Sequence, residues 1–457
     1  MDHTVDVLII GFGKAGKTLA PYLAKQGLSV IVVEQSSQMY GGTCINVGCI
    51  PTKALAHQSH LIAQYGLGNT EARQERYAQA ILEKDELVTM LRGKNLKMVN
   101  EQSGVTVITG KASFLTDHIV EIKTQDGTIL VEASRILINT GAKPIIPDIP
   151  GIQNSKVYTS TELLNLGKLP ERMAIIGGGY IGLEFASIYA GFGTEVTILE
   201  QGATFLPRED QDIASEVRTV LEQKGIRIEL QSHVVQIEDI EKNEVQLDLS
   251  SPDGLKEWRG NAVLVATGRA ANTDGLNIEA AGIQLTARGF IQVDDKLQTN
   301  KQHVWALGDV NGGPQFTYIS LDDYRIIKDH WFGTGLRTTS DRKTVPTSVF
   351  IDPPLSRVGL SETEALQQGY DIRVVKLPVT ASTRARQLKQ TDGLLKAIVD
   401  SKTEQLLGFT MFGAESSEVV NIVSVFMNSS QPYTVLRDTI FTHPSMSEML
   451  NDLLNLV

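Results

Sequence analysis

Two stretches of the chain repeat the same order of apolar and polar positions. Residues 5–10, apart from Asp6, and residues 173–176 are apolar runs, and each fits a strand buried in a parallel sheet. Each run leads into a glycine-rich turn, a segment with helical character, and a second strand at 28–34 or 194–200. The pattern therefore predicts two strand–turn–helix–strand units in one chain.

The two turns carry the spacing of a dinucleotide-binding loop. The glycines follow GxGxxG in both copies: Gly11, Gly13 and Gly16, then Gly177, Gly179 and Gly182. Glu34 and Glu200 end the second strands, each 23 residues after the first glycine of its copy. Such glycines let the backbone approach a pyrophosphate at a helix N-terminus, and the acid bonds a ribose hydroxyl. Two copies predict two bound dinucleotides, which points to a flavin and a nicotinamide working together.

The remaining pattern suggests how these units are arranged along the chain. Residues 58–103 have a polar, helical pattern, and the strands at 135–142 and 261–270 both contain a Thr-Gly turn. A proline-rich link follows the first of these turns, and from Val345 the pattern becomes that of an antiparallel sheet with helices. The predicted fold is α/β, with two Rossmann-like domains and a C-terminal α+β domain. The predicted segments are 1–150 and 271–344 for the first nucleotide-binding domain, 151–270 for the second, and 345–457 for the C-terminal domain.

Composition and charge narrow the functional classes. The 457 residues are 42% hydrophobic and 21% charged, which is ordinary for a globular α/β protein of two or three domains. A net charge of −11 with no basic run argues against nucleic acid as a partner. The acidic N-terminus has only a short apolar run, which predicts neither a signal peptide nor a membrane span. We expect a cytoplasmic protein.

The candidate chemistry lies in YGGTCINVGCIPTKALAH, residues 40–57, which holds the chain's two cysteines, Cys44 and Cys49. Pro51 suits the first turn of a helix, so Cys49 should lie at the positive end of a helix dipole. Lys53 follows one turn later on the same face. Both effects stabilise a thiolate, the reactive form of cysteine. A disulfide between the two would be reduced more easily than a buried structural one.

Other interpretations of the cysteines stay open on spacing alone. Two cysteines can simply be small buried hydrophobic residues. A structural zinc site is disfavoured because no further cysteine completes four ligands. A purely structural disulfide is disfavoured because a single cross-link, in a chain without a secretory context, would contribute little to stability.

Four features together make the chain resemble class I pyridine nucleotide-disulfide oxidoreductases. They are the run GGTCINVGCIPTK, the two GxGxxG loops (the first and second fingerprints), the Gly-Asp pair at 308–309, and HPSMSE near the C-terminus. The resemblance covers essentially the whole chain. It implies FAD on the first nucleotide fold, NAD(P)H on the second, and a C-terminal domain that forms a homodimer. The FAD-binding residues that it implies, besides the first fingerprint and Glu34, are Gly42, Thr43, Lys53, Ala112, Thr140, Gly141, Gly308, Asp309 and Thr317. On the second fold it implies Glu200, Val234 and Gly268 beside the second fingerprint.

The resemblance also implies catalytic roles. Cys49 would be the thiolate beside the flavin, and Cys44 would exchange with the acceptor. Lys53 would lie near the flavin and pair with Glu184. His443 and Glu448 would form an acid/base pair serving the other subunit, which agrees with the general use of a carboxylate to orient a histidine.

Within the family, the motifs look most like the bacterial reactive-chlorine-resistance flavoproteins, a subgroup associated with reduction of metal ions such as Cu(II). Cys44 and Cys49 would then be transient metal ligands. Dihydrolipoamide dehydrogenase is the alternative, and a flavin-binding scaffold without turnover is a third interpretation. The absence of later cysteines speaks against mercuric reductases and the larger thioredoxin reductases.

Three details carry further expectations. Lys14 and Lys17 make the first fingerprint unusually cationic, and we expect both side chains to point to solvent. His57 lies two helical turns after Cys49, where it is either an ordinary core or interface residue or a weak third ligand for a soft metal. Glu200 predicts NADH in preference to NADPH, because a carboxylate repels a 2′-phosphate, although Arg208 could fold back to bind one.

Overall fold

The computed structural model describes residues 1–66, 68–240, 243–252 and 254–457. Its contacts divide the chain into two compact units. The first comprises Met1–Ala54, Gln79–Ile145 and Gly268–Asp341; the second comprises Leu55–Ala78, Ile146–Thr267 and Arg342–Val457. The finer boundaries predicted at 150, 270 and 344 stay a prediction.

The first unit is built on a sheet whose central strands are apolar on both faces, as a buried parallel sheet requires. Its strands are β1 (His3–Ile10), β2 (Val30–Glu34), β3 (Val105–Thr109), β4 (Lys111–Phe114), β5 (Ile119–Lys123), β6 (Thr128–Ile138) and β17 (Val304–Ala306). The last of these, β17, belongs to the segment Gly268–Asp341, with which the chain returns to the first unit (the return segment). The strand order is β3-β2-β1-β6-β5-β4, with β17 parallel to the end of β6. A separate two-stranded sheet pairs β7 (Ala142–Pro144) with β16 (Arg269–Ala271).

Helices pack on this sheet and bring the candidate residues to the carboxyl ends of its strands. They are α1 (Lys14–Lys25), α2 (Thr43–Asn46) and α8 (Thr317–Phe332), together with α3 (Cys49–Tyr65) and α4 (Thr70–Asn100), which run through residues of both units. The core between α1, α8 and the sheet consists of buried apolar residues such as Ile9, Leu19 and Ile326. The carboxyl ends of β1, β6 and β17 therefore lie side by side, as they do in a nucleotide-binding fold.

The second unit contains the second nucleotide fold. Its parallel sheet has the order β11-β10-β9-β15-β8, from β8 (Val157–Thr159), β9 (Arg172–Ile176), β10 (Glu195–Leu199), β11 (Arg227–Glu229) and β15 (Ala262–Val265). The helices are α5 (Ser160–Leu163), α6 (Tyr180–Phe192) and α7 (Gln211–Gln223), and an antiparallel meander is formed by β12 (His233–Ile240), β13 (Glu244–Ser250) and β14 (Glu257–Gly260). The predicted repeat of the nucleotide fold is confirmed.

The C-terminal part of this unit is the predicted α+β fold. An antiparallel sheet has the order β18-β19-β22-β21-β20, from β18 (Thr347–Val349), β19 (Leu355–Gly359), β20 (Ile372–Pro378), β21 (Leu394–Asp400) and β22 (Leu406–Phe412). Its helices are α9 (Glu362–Gln367), α10 (Thr383–Leu388), α11 (Ser416–Met427), α12 (Tyr433–Arg437) and α13 (Met449–Leu454).

A buried ion cluster links the two parts of the second unit. The ammonium group of Lys396 on β21 is 2.9 Å from Asp210, which precedes α7, and 2.7 Å from Glu362 on α9. Such a charge is tolerated in the interior only when it is paired. Across the described ranges, no helix is long and apolar enough to cross a membrane.

Candidate active site

The two fingerprint loops have the same strained geometry. Gly11 and Gly177 adopt φ of +104° and +110°, a region that favours glycine. A Cβ on Gly11 would clash with the carbonyl oxygen of Asn139, and one on Gly177 would lie 2.6 Å from that of Ala266. Each loop therefore passes directly against the end of a neighbouring strand, and only glycine permits this approach.

The two strand-ending acids are held in the same way. Glu34 accepts hydrogen bonds from the backbone N–H groups of Phe12, at 3.1 Å, and Ser36, at 3.3 Å. Glu200 accepts from Gly178 and Gly202, both at 2.7 Å. Each carboxylate is thus tied to the fingerprint loop and to its own following turn. This is where an acid bonds the ribose of a bound dinucleotide.

The first fold has polar groups that fit a bound flavin nucleotide. Thr140 Oγ1 is buried and makes no hydrogen bond within the part of the chain that the structure describes. Burial raises the pKa of Asp309, which lies in the short turn Gly308–Asn311 after β17, and the neighbouring charge of Arg269 opposes that rise. An orphaned hydroxyl and a buried carboxylate need polar partners, and a dinucleotide offers them.

The Gly-Gly-Thr turn before Cys44 packs on the first fingerprint. Gly42 adopts φ of +78°, and a Cβ there would lie 2.8 Å from Gly13 Cα. Asn46, which is buried, donates to the carbonyls of Tyr40 and Gly42 at 3.0 and 2.9 Å. Arg92 on α4 donates to Asn46 Oδ1 at 2.8 Å. The loop that carries the cysteines is therefore fixed on the cofactor loop.

The cysteines are free thiols with opposite electrostatics. Cys49 begins α3, as predicted, and its Sγ is 3.5 Å from Thr317 Oγ1 on α8. Its hydrogen bond with Cys44 is the main cause that lowers the pKa of Cys49 to about 6, and Thr317 and Lys53 lower it further. The same hydrogen bond and burial raise the pKa of Cys44. These shifts favour the negative charge of the pair on Cys49 and the proton on Cys44.

His443 and Glu448 are brought together as the sequence predicts. His443 Nδ1 is 2.9 Å from Glu448 Oε2, and the other carboxylate oxygen accepts from the backbone N–H of Ser445 at 3.2 Å. The histidine side chain is 71% exposed, so its second nitrogen is accessible. This is the geometry of a carboxylate-oriented acid/base.

Comparisons with known proteins decide the family. The profile of the family described as "Pyridine nucleotide-disulphide oxidoreductase" matches residues 5–323, and that of its dimerisation domain matches 345–454. The chain belongs to this family. The protein described as "Probable pyridine nucleotide-disulfide oxidoreductase RclA" of Escherichia coli (strain K12) is 49% identical over 451 residues, with 98% of each chain covered.

Two further comparisons agree. The solved structure described as "Cu(II) complex of HOCl-induced flavoprotein disulfide reductase RclA from Escherichia coli" matches with a TM-score of 0.93 and 49% identity over 100% of both chains. A mercuric reductase of Lysinibacillus sphaericus is 33% identical, covering 98% of this chain and 82% of the relative. This pyridine nucleotide-disulfide oxidoreductase is therefore similar over its whole length to a flavoprotein disulfide reductase, RclA of Escherichia coli.

One expectation about the site of this oxidoreductase is wrong. Lys17 does not point to solvent: it is 4% exposed, and its ammonium group donates to the carbonyl of Gly41 at 3.0 Å. The ammonium group therefore ends at the Gly-Gly-Thr turn and not in solvent. Lys14 is partly exposed, so the two lysines of the fingerprint differ.

Other residues assigned by the family resemblance keep their roles as predictions. Glu184 on α6 accepts a hydrogen bond from the backbone N–H of Phe350 at 2.9 Å. Arg208 is exposed, and its carbonyl accepts from Arg357 at 2.7 Å. Ala112 and Val234 are buried in strands of their respective folds.

The structure gives no support to His57 as a third ligand. His57 is exposed, and within the described residues it does not form a donor cluster with the cysteines. The group that does meet the spacing for a metal is Asp117, His118 and His303. The two imidazoles stack face to face at 3.7 Å, so their in-plane lone pairs do not converge, and Lys301 already pairs with Asp117. We therefore assign no metal to this group.

Sequence reasoning missed two residues that position the site. Asn46 holds the cysteine loop, as described above. Asn139, buried at the end of β6, accepts from the Gly16 N–H at 3.0 Å and donates to the Leu307 carbonyl at 2.6 Å. Asn139 therefore joins α1, which carries Gly16, to Leu307, which directly follows β17. The available signal was its place directly before the Thr-Gly turn, in the position that Ala266 holds in the second copy.

The lowered pKa of Cys49 predicts how the reduced protein reacts with an alkylating agent. Because the thiolate is the nucleophile, carbamidomethylation of Cys49 should rise through about pH 6, level off above it, and fall at lower pH. Peptide mapping after short pulses of iodoacetamide at each pH would locate the inflection. Thr317→Val is the matched variant, since losing the hydroxyl should move the inflection upward. A wild-type inflection above pH 8 would contradict the assignment.

Proposed function

We propose that this protein passes electrons from NADH through FAD to the Cys44–Cys49 pair, and from there to a metal ion such as Cu(II), in defence against reactive chlorine. The observation that carries the proposal is the asymmetric thiol pair: Cys49 begins α3 with its Sγ 3.5 Å from Thr317 Oγ1, and its hydrogen bond with Cys44 lowers its pKa. The similarity to RclA, whose solved structure is a Cu(II) complex, supports the choice of acceptor.

When bound, FAD supplies a two-electron carrier between the nicotinamide and the disulfide. The residues of this chain then divide the remaining tasks. Cys49 keeps the negative charge beside Thr317, while Cys44 holds its proton until it meets the acceptor. Two thiol sulfurs side by side are soft ligands, which suit a copper ion that accepts electrons.

Reduction of a small disulfide such as lipoamide is the second candidate. The hydrogen bond between His443 and Glu448 favours it, because a leaving thiolate needs a proton from a positioned acid. The histidine would act on the cysteine pair of the other subunit in a homodimer built by the C-terminal domain. The match of residues 345–454 to the family's dimerisation domain supports this arrangement.

The acceptor can be tested by comparing rates of NADH oxidation without oxygen. We expect Cu(II) to accelerate the purified enzyme more than lipoamide or glutathione disulfide does, with Cu(I) trapped by a chelator as product. Cys44→Ser should lower the enzymatic rate roughly 100-fold or more, since the pair acts as a unit. Cu(II) with NADH but no enzyme is the required blank. If lipoamide turned over orders of magnitude faster than any metal ion, the dehydrogenase function would replace the metal reductase.

The nicotinamide preference follows from Glu200. The fixed carboxylate would repel the 2′-phosphate of NADPH, so kcat/KM should favour NADH by about 30-fold, or ~2 kcal/mol. Glu200→Gln keeps the shape and removes the charge, and it should narrow that ratio. Glu162→Gln, on the same nucleotide fold but within a helix-capping pair, is a control for general damage. Equal kcat/KM for both nucleotides in the wild type would refute the prediction.

The shared site of a homodimer can be tested by complementation. Cys44→Ser and His443→Gln proteins should each be nearly inactive with lipoamide. Heterodimers formed from them would contain one intact site and recover up to about a quarter of wild-type activity per total subunit, if exchange is random. Subunit exchange must be shown independently, for example with differently tagged chains. Exchange without recovered activity would mean that each histidine serves its own chain.

A further inference from the structure

Lys17 occupies a position that the fold otherwise gives to an apolar residue. It follows the third glycine of the first fingerprint, and the equivalent residue of the second copy is Leu183, which is 0% exposed. Lysine is rarely buried unless its charge is paired. Across the described residues, however, no carboxylate lies within ion-pair distance of Lys17. A cation at this core position therefore needs another explanation.

The surroundings of Lys17 connect it to the cysteines. Its ammonium donates to the Gly41 carbonyl at 3.0 Å, at the start of the turn that leads to Cys44. That turn packs closely on the first fingerprint, since a Cβ on Gly42 would lie 2.8 Å from Gly13 Cα. The lysine thus contacts the backbone three residues before the thiol that would exchange with the acceptor.

The charged groups near Lys17 raise or lower its pKa, and they indicate which group it interacts with. Burial is the main cause that lowers the pKa of Lys17 to about 8, and Lys14 lowers it further. Negative charge on Cys44 has the opposite effect and raises the pKa of Lys17. Lys17 in turn lowers the pKa of Cys44, against the hydrogen bond with Cys49 and the burial that raise it. The buried cation is therefore linked to the cysteine loop by its hydrogen bond to the Gly41 carbonyl, and its charge acts on Cys44.

We propose that Lys17 is a positioning residue for the redox pair: its buried ammonium group holds the turn before Cys44 and favours the reduced, anionic pair over the neutral disulfide. The proposal rests on the redox cycling of Cys44 and Cys49 proposed above. It adds a residue outside the cysteine loop that sets how easily the disulfide is reduced.

The charge balance explains the direction. Two electrons, which the nicotinamide supplies through the flavin, break the S–S bond, and one proton from solvent converts one sulfur to a thiol. The other sulfur remains a thiolate, so the pair gains one negative charge. A fixed cation nearby lowers the free energy of this product and leaves that of the neutral disulfide almost unchanged.

The test is the equilibrium of the pair with redox buffers of reduced and oxidised dithiothreitol, with alkylation and mass spectrometry to count thiols. Lys17→Leu introduces the residue that the second nucleotide fold has at the equivalent position, Leu183. Lys17→Gln removes the charge but keeps an N–H donor for the Gly41 carbonyl. Both variants should shift the equilibrium at least tenfold toward the disulfide, a potential about 30 mV more negative for two electrons. Lys14→Gln, a partly exposed cation in the same helical turn, is the matched control and should shift it less.

Each other outcome overturns the proposal. A wild-type equilibrium in Lys17→Gln with a shift only in Lys17→Leu would make the hydrogen bond, not the charge, responsible. Wild-type equilibria in both variants would remove any role in reduction, and loss of bound flavin in both would identify Lys17 as a structural support. The measurement uses neither NADH nor a metal acceptor. Failure of the Cu(II) function would therefore leave it intact, and failure of the Lys17 proposal would leave the Cu(II) function open.

Discussion

The close approach of Gly42 to Gly13 is the constraint on which the candidate active site depends. A Cβ at Gly42 would lie 2.8 Å from the Gly13 Cα, so the cysteine loop and the first fingerprint pack backbone to backbone. Asn46 then fixes the loop from the other side through the carbonyls of Tyr40 and Gly42. Because the contact involves main chain, the positions of the thiols follow from the nucleotide fold itself.

The two nucleotide folds show what is general and what is particular to this contact. Their glycines and acids are placed alike, down to the pair of backbone N–H groups that hold Glu34 and Glu200. Where the second copy has Leu183, the first has Lys17, which is hydrogen-bonded to the carbonyl of Gly41 in the turn that leads to Cys44. The departure from the repeat thus lies next to the cysteine loop, where we propose that one core side chain adapts a common binding fold to redox chemistry.

Local sequence predicted the elements of the site better than the contacts between them. The start of α3 at Cys49 followed from Pro51 and the glycine-rich flank, and the His443–Glu448 pair followed from its motif. The contacts of Asn139 with Leu307 and of Thr317 with Cys49 join residues 168 and 268 positions apart. The periodicity of hydrophobic residues along the sequence does not indicate such long-range contacts. A solvent-facing lysine is likewise the ordinary expectation, and only packing reveals that Lys17 is buried.

The asymmetry of the two thiols bears on the choice of acceptor. A thiolate at Cys49 beside a protonated Cys44 is suited to either acceptor, since both a disulfide and a soft metal ion react with thiolate sulfur. The acceptors differ in their demand for protons. A disulfide releases a thiolate that must be protonated, whereas a metal ion that binds both sulfurs displaces the proton of Cys44. His443 with Glu448 can donate a proton in the first case and accept one in the second, so one acid/base pair is compatible with both reactions.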